Sequence, residues 1–145
     1  MAADFEKTFG RHYGLFEAYR MEDAEYAVVI MGSSAGTARA AVDELRESGI
    51  KAGLVKIRVF RPFPGAELAE TLKHCRAVAV LDKSEGFSGC GGPLFAETAG
   101  SLINCKDRPY LIDIVYGLGG RDFTVRAARS VYERLMGIAE TGDVG

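Results

Sequence analysis

The chain has 145 residues, of which 48% are hydrophobic and 26% are charged, a composition typical of one soluble globular domain. The formal net charge is -2 and no block of like charge occurs, which argues against nucleic acid or an anionic membrane as the main partner. No apolar run approaches the roughly 20 residues of a transmembrane helix, and the acidic start lacks the apolar core of a signal peptide. We therefore expect a cytoplasmic protein.

The cysteines and histidines show no metal-binding or disulfide pattern. Cys75, Cys90 and Cys105 are an odd number, and none belongs to a Cys-x-x-Cys pair. This spacing argues against a disulfide framework, a structural zinc or a complete iron–sulfur site within the chain. His12 and His74 are far apart and share no ligand spacing, so we expect both on the surface. We predict no metal bound by this chain.

After a polar start, strand and helix patterns alternate along the chain. Residues 1–13 predict a tail or a short helix, and residues 14–20 fit an edge strand. Residues 26–31 predict a strand that is buried on both faces. The turn over residues 32–37 then leads into a helix that ends before Gly49, a typical helix stop.

This first strand-to-helix turn, Gly-Ser-Ser-Ala-Gly-Thr, is rich in glycine and serine. Such a turn at a helix amino terminus can hold a phosphate through its backbone amides. The candidate cofactor-binding residues are therefore Gly32, Ser33, Ser34, Gly36 and Thr37. The turn matches neither of the two common glycine-rich phosphate-binding motifs, however. A plain turn capped by Ser33 or Ser34 is the simpler interpretation.

The second strand, predicted over residues 50–60, carries basic side chains. Lys56 and Arg58 share one face, which cannot be wholly buried unless these charges find partners. The segment Arg61-Pro-Phe-Pro then forms a stiff exit, and Pro64 opens the next helix. Arg58 and Arg61 would project near this exit, where they could grip a carboxylate or a phosphate. Pairing with nearby acids of the same chain is the alternative.

The third strand, residues 77–81, precedes the most glycine-rich loop of the chain, residues 82–93. A helix over residues 93–103 follows, with proline at its first position. The loop thus leaves the carboxyl edge of a parallel sheet, where ligands and partners usually bind. Its candidate contact residues are Asp82, Gly89, Gly91 and Gly92. A flexible surface loop without a partner is the alternative interpretation.

The fourth unit repeats this arrangement. Residues 110–116 predict a strand with Asp113 on one of its faces, and residues 117–122 form a second glycine-rich exit. The candidate contact residues in this exit are Gly119 and Arg121. Asp122 or Thr124 is the expected cap of the last helix.

Four strand–helix units predict one α/β domain over residues 14–139 with a mainly parallel sheet, followed by a frayed tail over residues 140–145. Because parallel strands share one direction, all four post-strand loops would lie along one edge of the sheet. The sequence shows no Ser/His/Asp set, no paired catalytic carboxylates in an apolar frame and no metal cluster at this edge. We therefore predict a domain that is incomplete as a catalyst by itself.

Six segments in order carry a family resemblance: residues 19–25, 32–37, 58–64, 80–82, 91–94 and 116–122. With them the chain resembles the 2-oxoacid:ferredoxin oxidoreductases, most closely the carboxyl-terminal domain of the pyruvate:ferredoxin oxidoreductase α subunit. The resemblance spans roughly residues 13–136. It implies the fold of the transketolase carboxyl-terminal domain. This is a three-layer α/β/α sandwich on a five-stranded, mostly parallel sheet whose first strand is antiparallel.

The resemblance also implies a function for the whole enzyme. Members of the family convert a 2-oxoacid and coenzyme A into acyl-CoA and carbon dioxide, and they pass electrons to ferredoxin. They use thiamine diphosphate, magnesium and iron–sulfur clusters, which in this family are held by other domains or subunits. No catalytic residue is therefore carried over to this chain, and we predict that the chain alone is inactive and binds no cofactor.

Two hypotheses for the chain itself follow. In the first, it is a non-catalytic assembly domain that contacts other domains and subunits of the oxidoreductase, with ferredoxin reached through the complex. Its interface candidates are Arg58, Arg61, Asp82, Gly89, Gly91, Gly92, Gly119 and Arg121. In the second, it is a small-ligand module that binds a nucleotide or the phosphate of coenzyme A. An independent hydrolase or reductase is disfavoured because the sequence lacks a catalytic set.

Overall fold

The structure, a computed structural model, describes residues 16–32, 34–58, 65–82, 93–103, 105–106, 108–115 and 123–142. The strands within these ranges are β1 (Phe16–Tyr19), β2 (Tyr26–Met31), β3 (Ala52–Ile57), β4 (Ala77–Asp82) and β5 (Tyr110–Val115). The helices within them are α1 (Ala35–Glu47), α2 (Gly65–Leu72), α3 (Pro93–Leu102) and α4 (Val125–Thr141).

The five strands form one sheet in the order β1-β3-β2-β4-β5. Strand β1 pairs with β3 in the antiparallel sense, whereas the pairs β2–β3, β2–β4 and β4–β5 are parallel. The predicted five-stranded sheet with an antiparallel first strand is therefore confirmed.

The helices cover both faces of the sheet, which completes the predicted three layers. Alternate side chains of a strand point to opposite faces, so Val28 and Ile30 pack with α1 and α4, whereas Val29 packs with α2 and α3. These three side chains are at most 1% exposed. An apolar strand of this kind is stable because both of its faces leave water.

The end of α1 explains why β3 begins later than the strand predicted over residues 50–60, whose last two residues lie outside the described ranges. Gly49 has a φ of 84°, and its amide donates to the Arg46 carbonyl while the Ile50 amide donates to the Leu45 carbonyl. These two bonds form a Schellman motif, which satisfies the last carbonyls of the helix. Ile50 therefore belongs to the helix cap, and β3 begins at Ala52.

The last helix, α4, has clear signals at both ends. The Thr124 hydroxyl accepts a hydrogen bond from the Ala127 amide at 3.1 Å, which confirms the predicted cap. At the other end Gly142 adopts a left-handed conformation with a φ of 75°. The helix therefore ends at Thr141.

Candidate interaction surface at the carboxyl edge of the sheet

The carboxyl ends of the four parallel strands meet at one edge of the sheet. Met31 pairs with Ile57, and Asp82 pairs with Val115, so the strands end at the same level. Gly32 and Arg58 follow two of these ends directly. The predicted site residues Ser33, Arg61, Gly89, Gly91, Gly92, Gly119 and Arg121 lie outside the described residues.

Asp82, the last residue of β4, connects the sheet to the amino end of α3. Its side chain is buried, and its two oxygens accept hydrogen bonds from the Leu94 amide at 2.9 Å and the Phe95 amide at 3.1 Å. Amides in the first turn of a helix have no partner within the helix, and a carboxylate there also complements the helix dipole. Asp82 therefore caps α3 from the neighbouring strand.

Asp113 of β5 reaches the same carboxyl group. Burial raises the pKa of Asp82 from 3.8 to about 6; the hydrogen bond with the Asp113 side chain acts in the same direction, and the two amides of α3 oppose it. A hydrogen bond between two carboxyl groups requires one proton between them. This pair was not predicted from the sequence, which showed no paired catalytic carboxylates. The partners are distant in sequence and meet only because β4 and β5 are neighbours.

The turn after β2 holds the described cofactor candidates. Gly32 has a φ of 90°, a conformation that side-chain-bearing residues rarely adopt. Ser34 stands at the cap position of α1, but its side chain makes no capping hydrogen bond. Gly36 lies in the first turn of the helix, followed by the half-exposed Thr37. A Cβ atom added at Gly36 would meet no atom of the described chain within 4 Å.

We predict opposite effects for alanine at the two glycines of this turn. Gly36→Ala should stabilise the chain by about 0.5–1 kcal/mol, because alanine favours the helix and its methyl group enters open space. Gly32→Ala should destabilise it by about 1 kcal/mol, because the left-handed backbone is strained for alanine. Urea unfolding of both variants measures the difference. Equal midpoints would contradict this account of the turn.

Arg58, which follows β3, forms an ion pair within the chain. Its Nη2 atom donates to Glu17 Oε2 at 3.0 Å, and Arg39 Nη2 donates to Glu17 Oε1 at 2.7 Å. The hydrogen bond from Arg58 is the largest cause that lowers the pKa of Glu17, followed by the contribution of Arg39. The two arginines thereby join the edge strand β1 to α1 and to the end of β3. Arg58 keeps 42% of its side chain exposed.

The described residues include no metal-binding set. No group of three or more His, Cys, Asp and Glu side chains within them could hold a metal ion. Burial raises the pKa of the Cys75 thiol to about 12, so this cysteine stays protonated and unreactive. His74 is exposed, and its Nε2 atom lies 2.9 Å from the Met21 carbonyl oxygen. None of the described helices has the length and apolar character needed to cross a membrane.

The sheet and its two helical layers define a three-layer α/β domain with a mostly parallel sheet, and comparisons with known proteins identify its family. A family profile described as "Pyruvate:ferredoxin oxidoreductase core domain II" matches residues 24–128. The pyruvate synthase subunit PorA of Thermotoga maritima is 46% identical over 133 residues, which cover 92% of this chain. The ketoisovalerate oxidoreductase subunit VorA of Pyrococcus horikoshii is 44% identical over 140 residues, covering 96% of this chain. The chain therefore belongs to the 2-oxoacid:ferredoxin oxidoreductase family.

Two solved structures share the fold at low sequence identity. The 2-oxoglutarate:ferredoxin oxidoreductase of Magnetococcus marinus matches 92% of this chain with a TM-score of 0.62 and 20% identity, over 21% of its own chain. A split-gene transketolase, described as an inactive beta4 tetramer, matches 85% of this chain with a TM-score of 0.64 and 17% identity, over 42% of its own chain. Both confirm the predicted α/β architecture.

The relatives are much longer than this chain. It spans 34% of the Thermotoga subunit and 35% of the Pyrococcus subunit. The match therefore corresponds to one domain of a larger subunit.

Proposed function

We propose that the chain is a non-catalytic assembly domain of a thiamine diphosphate-dependent 2-oxoacid:ferredoxin oxidoreductase. The observation that carries this proposal is the match of the chain to about a third of subunits named for that activity. The whole enzyme would form acyl-CoA, carbon dioxide and reduced ferredoxin. Pyruvate and ketoisovalerate are the oxoacids named for the two relatives.

The described residues show no ligand set for the metal cofactors of such an enzyme. They offer no cluster of ligands for magnesium or for an iron–sulfur centre. Their paired carboxylates are used within the chain, since Asp82 caps α3 and contacts Asp113. We therefore assign thiamine diphosphate, magnesium and the clusters to other domains and subunits of the complex, through which the chain would also reach ferredoxin.

The rim formed by the four post-strand loops is the proposed contact surface for these partners. Within it, Asp82 holds the start of α3 in place and Arg58 presents an exposed part of its side chain. Ligand and partner contacts concentrate at this edge of open α/β sheets. Arg61, Gly89, Gly91, Gly92, Gly119 and Arg121 complete the proposed contact set.

A chimera tests the assembly proposal. The chain would replace the matching third of the Thermotoga maritima subunit, to which it is 46% identical. Co-purification with the other subunits and pyruvate-dependent reduction of ferredoxin should both be retained. A chimera that folds but does not assemble would refute the proposed role.

The amino end of α1 favours a second candidate, the binding of a nucleotide or of the coenzyme A phosphate. The Ser34 side chain makes no capping bond and the first turn contains no acidic residue, so this helix end has no anionic group of its own. Thermal-shift titrations with coenzyme A, adenine nucleotides and thiamine diphosphate separate the two candidates. Stabilisation by a phosphate ligand, lost in Gly32→Ala, would favour this second function.

We predict that Arg58→Ala weakens assembly far more than it weakens the fold. The Arg58–Glu17 pair is partly exposed, so its removal should cost less than about 1 kcal/mol of stability. Arg129→Ala is the matched control, because Arg129 forms a similarly exposed pair with Glu44. Gel filtration of the chimera with its partner subunits should show weaker assembly for the first variant alone. Equal assembly by both variants would remove Arg58 from the interface.

A further inference from the structure

The contact between Asp82 and Asp113 joins three elements at one corner of the sheet. Asp82 ends β4 and accepts two amides of α3, while Asp113 lies on β5 opposite Val80, on the same face of the sheet. Asp82 is only 6% exposed. Asp82 also belongs to the proposed contact set, but the contacts that it makes within the chain hold whether or not the proposed function is correct.

We infer that Asp82 and Asp113 form a proton-dependent clasp, in which one shared proton holds β4, β5 and the amino end of α3 together. Each oxygen of Asp82 already accepts an amide proton, so the contact with a second carboxyl group needs a further proton to be attractive. When that proton leaves to solvent, the carboxylate of the buried Asp82 faces that of the partly buried Asp113. Their repulsion, reduced but not cancelled by the two amides, weakens this corner.

Few polar groups surround the Asp82 carboxyl group. The groups that shift the pKa of Asp82 are the Asp113 side chain from β5 and the Leu94 and Phe95 amides from α3. On this face of the sheet the neighbouring strand β2 presents the apolar side chain of Met31. Among the described residues, Asp113 is therefore the charged partner that determines the behaviour of the clasp.

The direction of the pH effect follows from linkage. Burial raises the pKa of Asp82 from 3.8 to about 6. The hydrogen bond with Asp113 raises this pKa further, so the stabilising contribution of the clasp is complete below about pH 4 and is lost as the pH rises through about 6. A difference of about two pKa units corresponds to a change of roughly a hundred-fold in the folding equilibrium constant.

Asp113→Asn tests the clasp directly. The asparagine amide donates a hydrogen bond to Asp82 without a titratable proton, so the variant keeps the contact at every pH. Relative to the original chain, its folding equilibrium constant should rise between pH 4 and pH 7.5, by less than the roughly hundred-fold of the whole shift, because burial also raises the pKa of Asp82 and persists in the variant. Urea unfolding across this range measures the ratio, and a ratio that stays constant with pH would overturn the inference.

Asp23→Asn is the matched control, because the hydrogen bond from Arg46 lowers the pKa of Asp23. Its stability relative to the original chain should fall slightly as the pH rises, the opposite sign. If Asp113→Asn does not fold, carbon-13 NMR of the aspartate carboxyl groups in the original chain decides. An Asp82 titration near pH 6 supports the clasp, whereas titration of both carboxyls below about pH 4.5 would refute it.

Discussion

Replacing Gly53 by alanine should destabilise the chain by about 2–3 kcal/mol, and replacing it by valine should cost more. A Cβ atom at this position of β3 would lie 2.5 Å from Met21 Sδ, 2.8 Å from Ala24 Cβ and 3.1 Å from the Arg20 carbonyl oxygen. The methionine side chain can move, but the other two atoms move only with the backbone between β1 and β2. Gly53 is therefore required because this connection packs directly on the strand.

The control for Gly53 lies on α4. A Cβ atom at Gly137 would meet nothing within 4 Å, so Gly137→Ala should be neutral or stabilising by up to about 1 kcal/mol. Urea unfolding monitored by circular dichroism compares the variants at equal concentration. If Gly53→Ala left the urea midpoint unchanged, the connection between β1 and β2 would move at little cost in free energy, contrary to this account.

Tyr132→Ala should reduce the stability by about 3–5 kcal/mol, which makes it the second large effect. Tyr132 is completely buried between α4 and the sheet, and its hydroxyl donates to the Gly53 carbonyl oxygen at 2.6 Å. Burial raises the pKa of this phenol above its usual range, so it remains a neutral donor. Both the lost volume and the lost hydrogen bond contribute to the cost.

Tyr132→Phe separates these two contributions. Phenylalanine keeps the ring but leaves the carbonyl of Gly53 without its hydroxyl donor, which should cost about 1–3 kcal/mol. Thermal and urea unfolding of both variants give the two values. If phenylalanine were as costly as alanine, the ring would contribute little, and the packing described for the core would be wrong.

Most of the fold follows from short-range patterns in the sequence. The apolar run of β2, the stop at Gly49 and the cap at Thr124 are local features, and each fulfils its predicted role. Each of these features depends on interactions between residues a few positions apart, so it can be predicted from the sequence alone. The antiparallel β1 required the family resemblance, because a strand of four residues has too weak a pattern to show its direction.

The contacts at the carboxyl edge were harder to predict because they join distant segments. Asp82 meets Asp113, and Arg58 meets Glu17, only after the strand order is set. The alternation of side chains along the predicted strand correctly indicated that Arg58 needed a partner. It could not identify that partner as Glu17, because Glu17 lies on the edge strand β1. The packing against Gly53 was also hidden, since a glycine in a strand has several alternative explanations.

The central claim, that this domain serves a larger thiamine enzyme and catalyses nothing by itself, is tested most directly with the purified chain. Calorimetry with thiamine diphosphate and magnesium should give no binding heat, and pyruvate with coenzyme A should yield no acyl-CoA with a ferredoxin-type electron acceptor. The chimera with its partner subunits should be active in the same assay. Acyl-CoA formation by the chain alone would contradict the account.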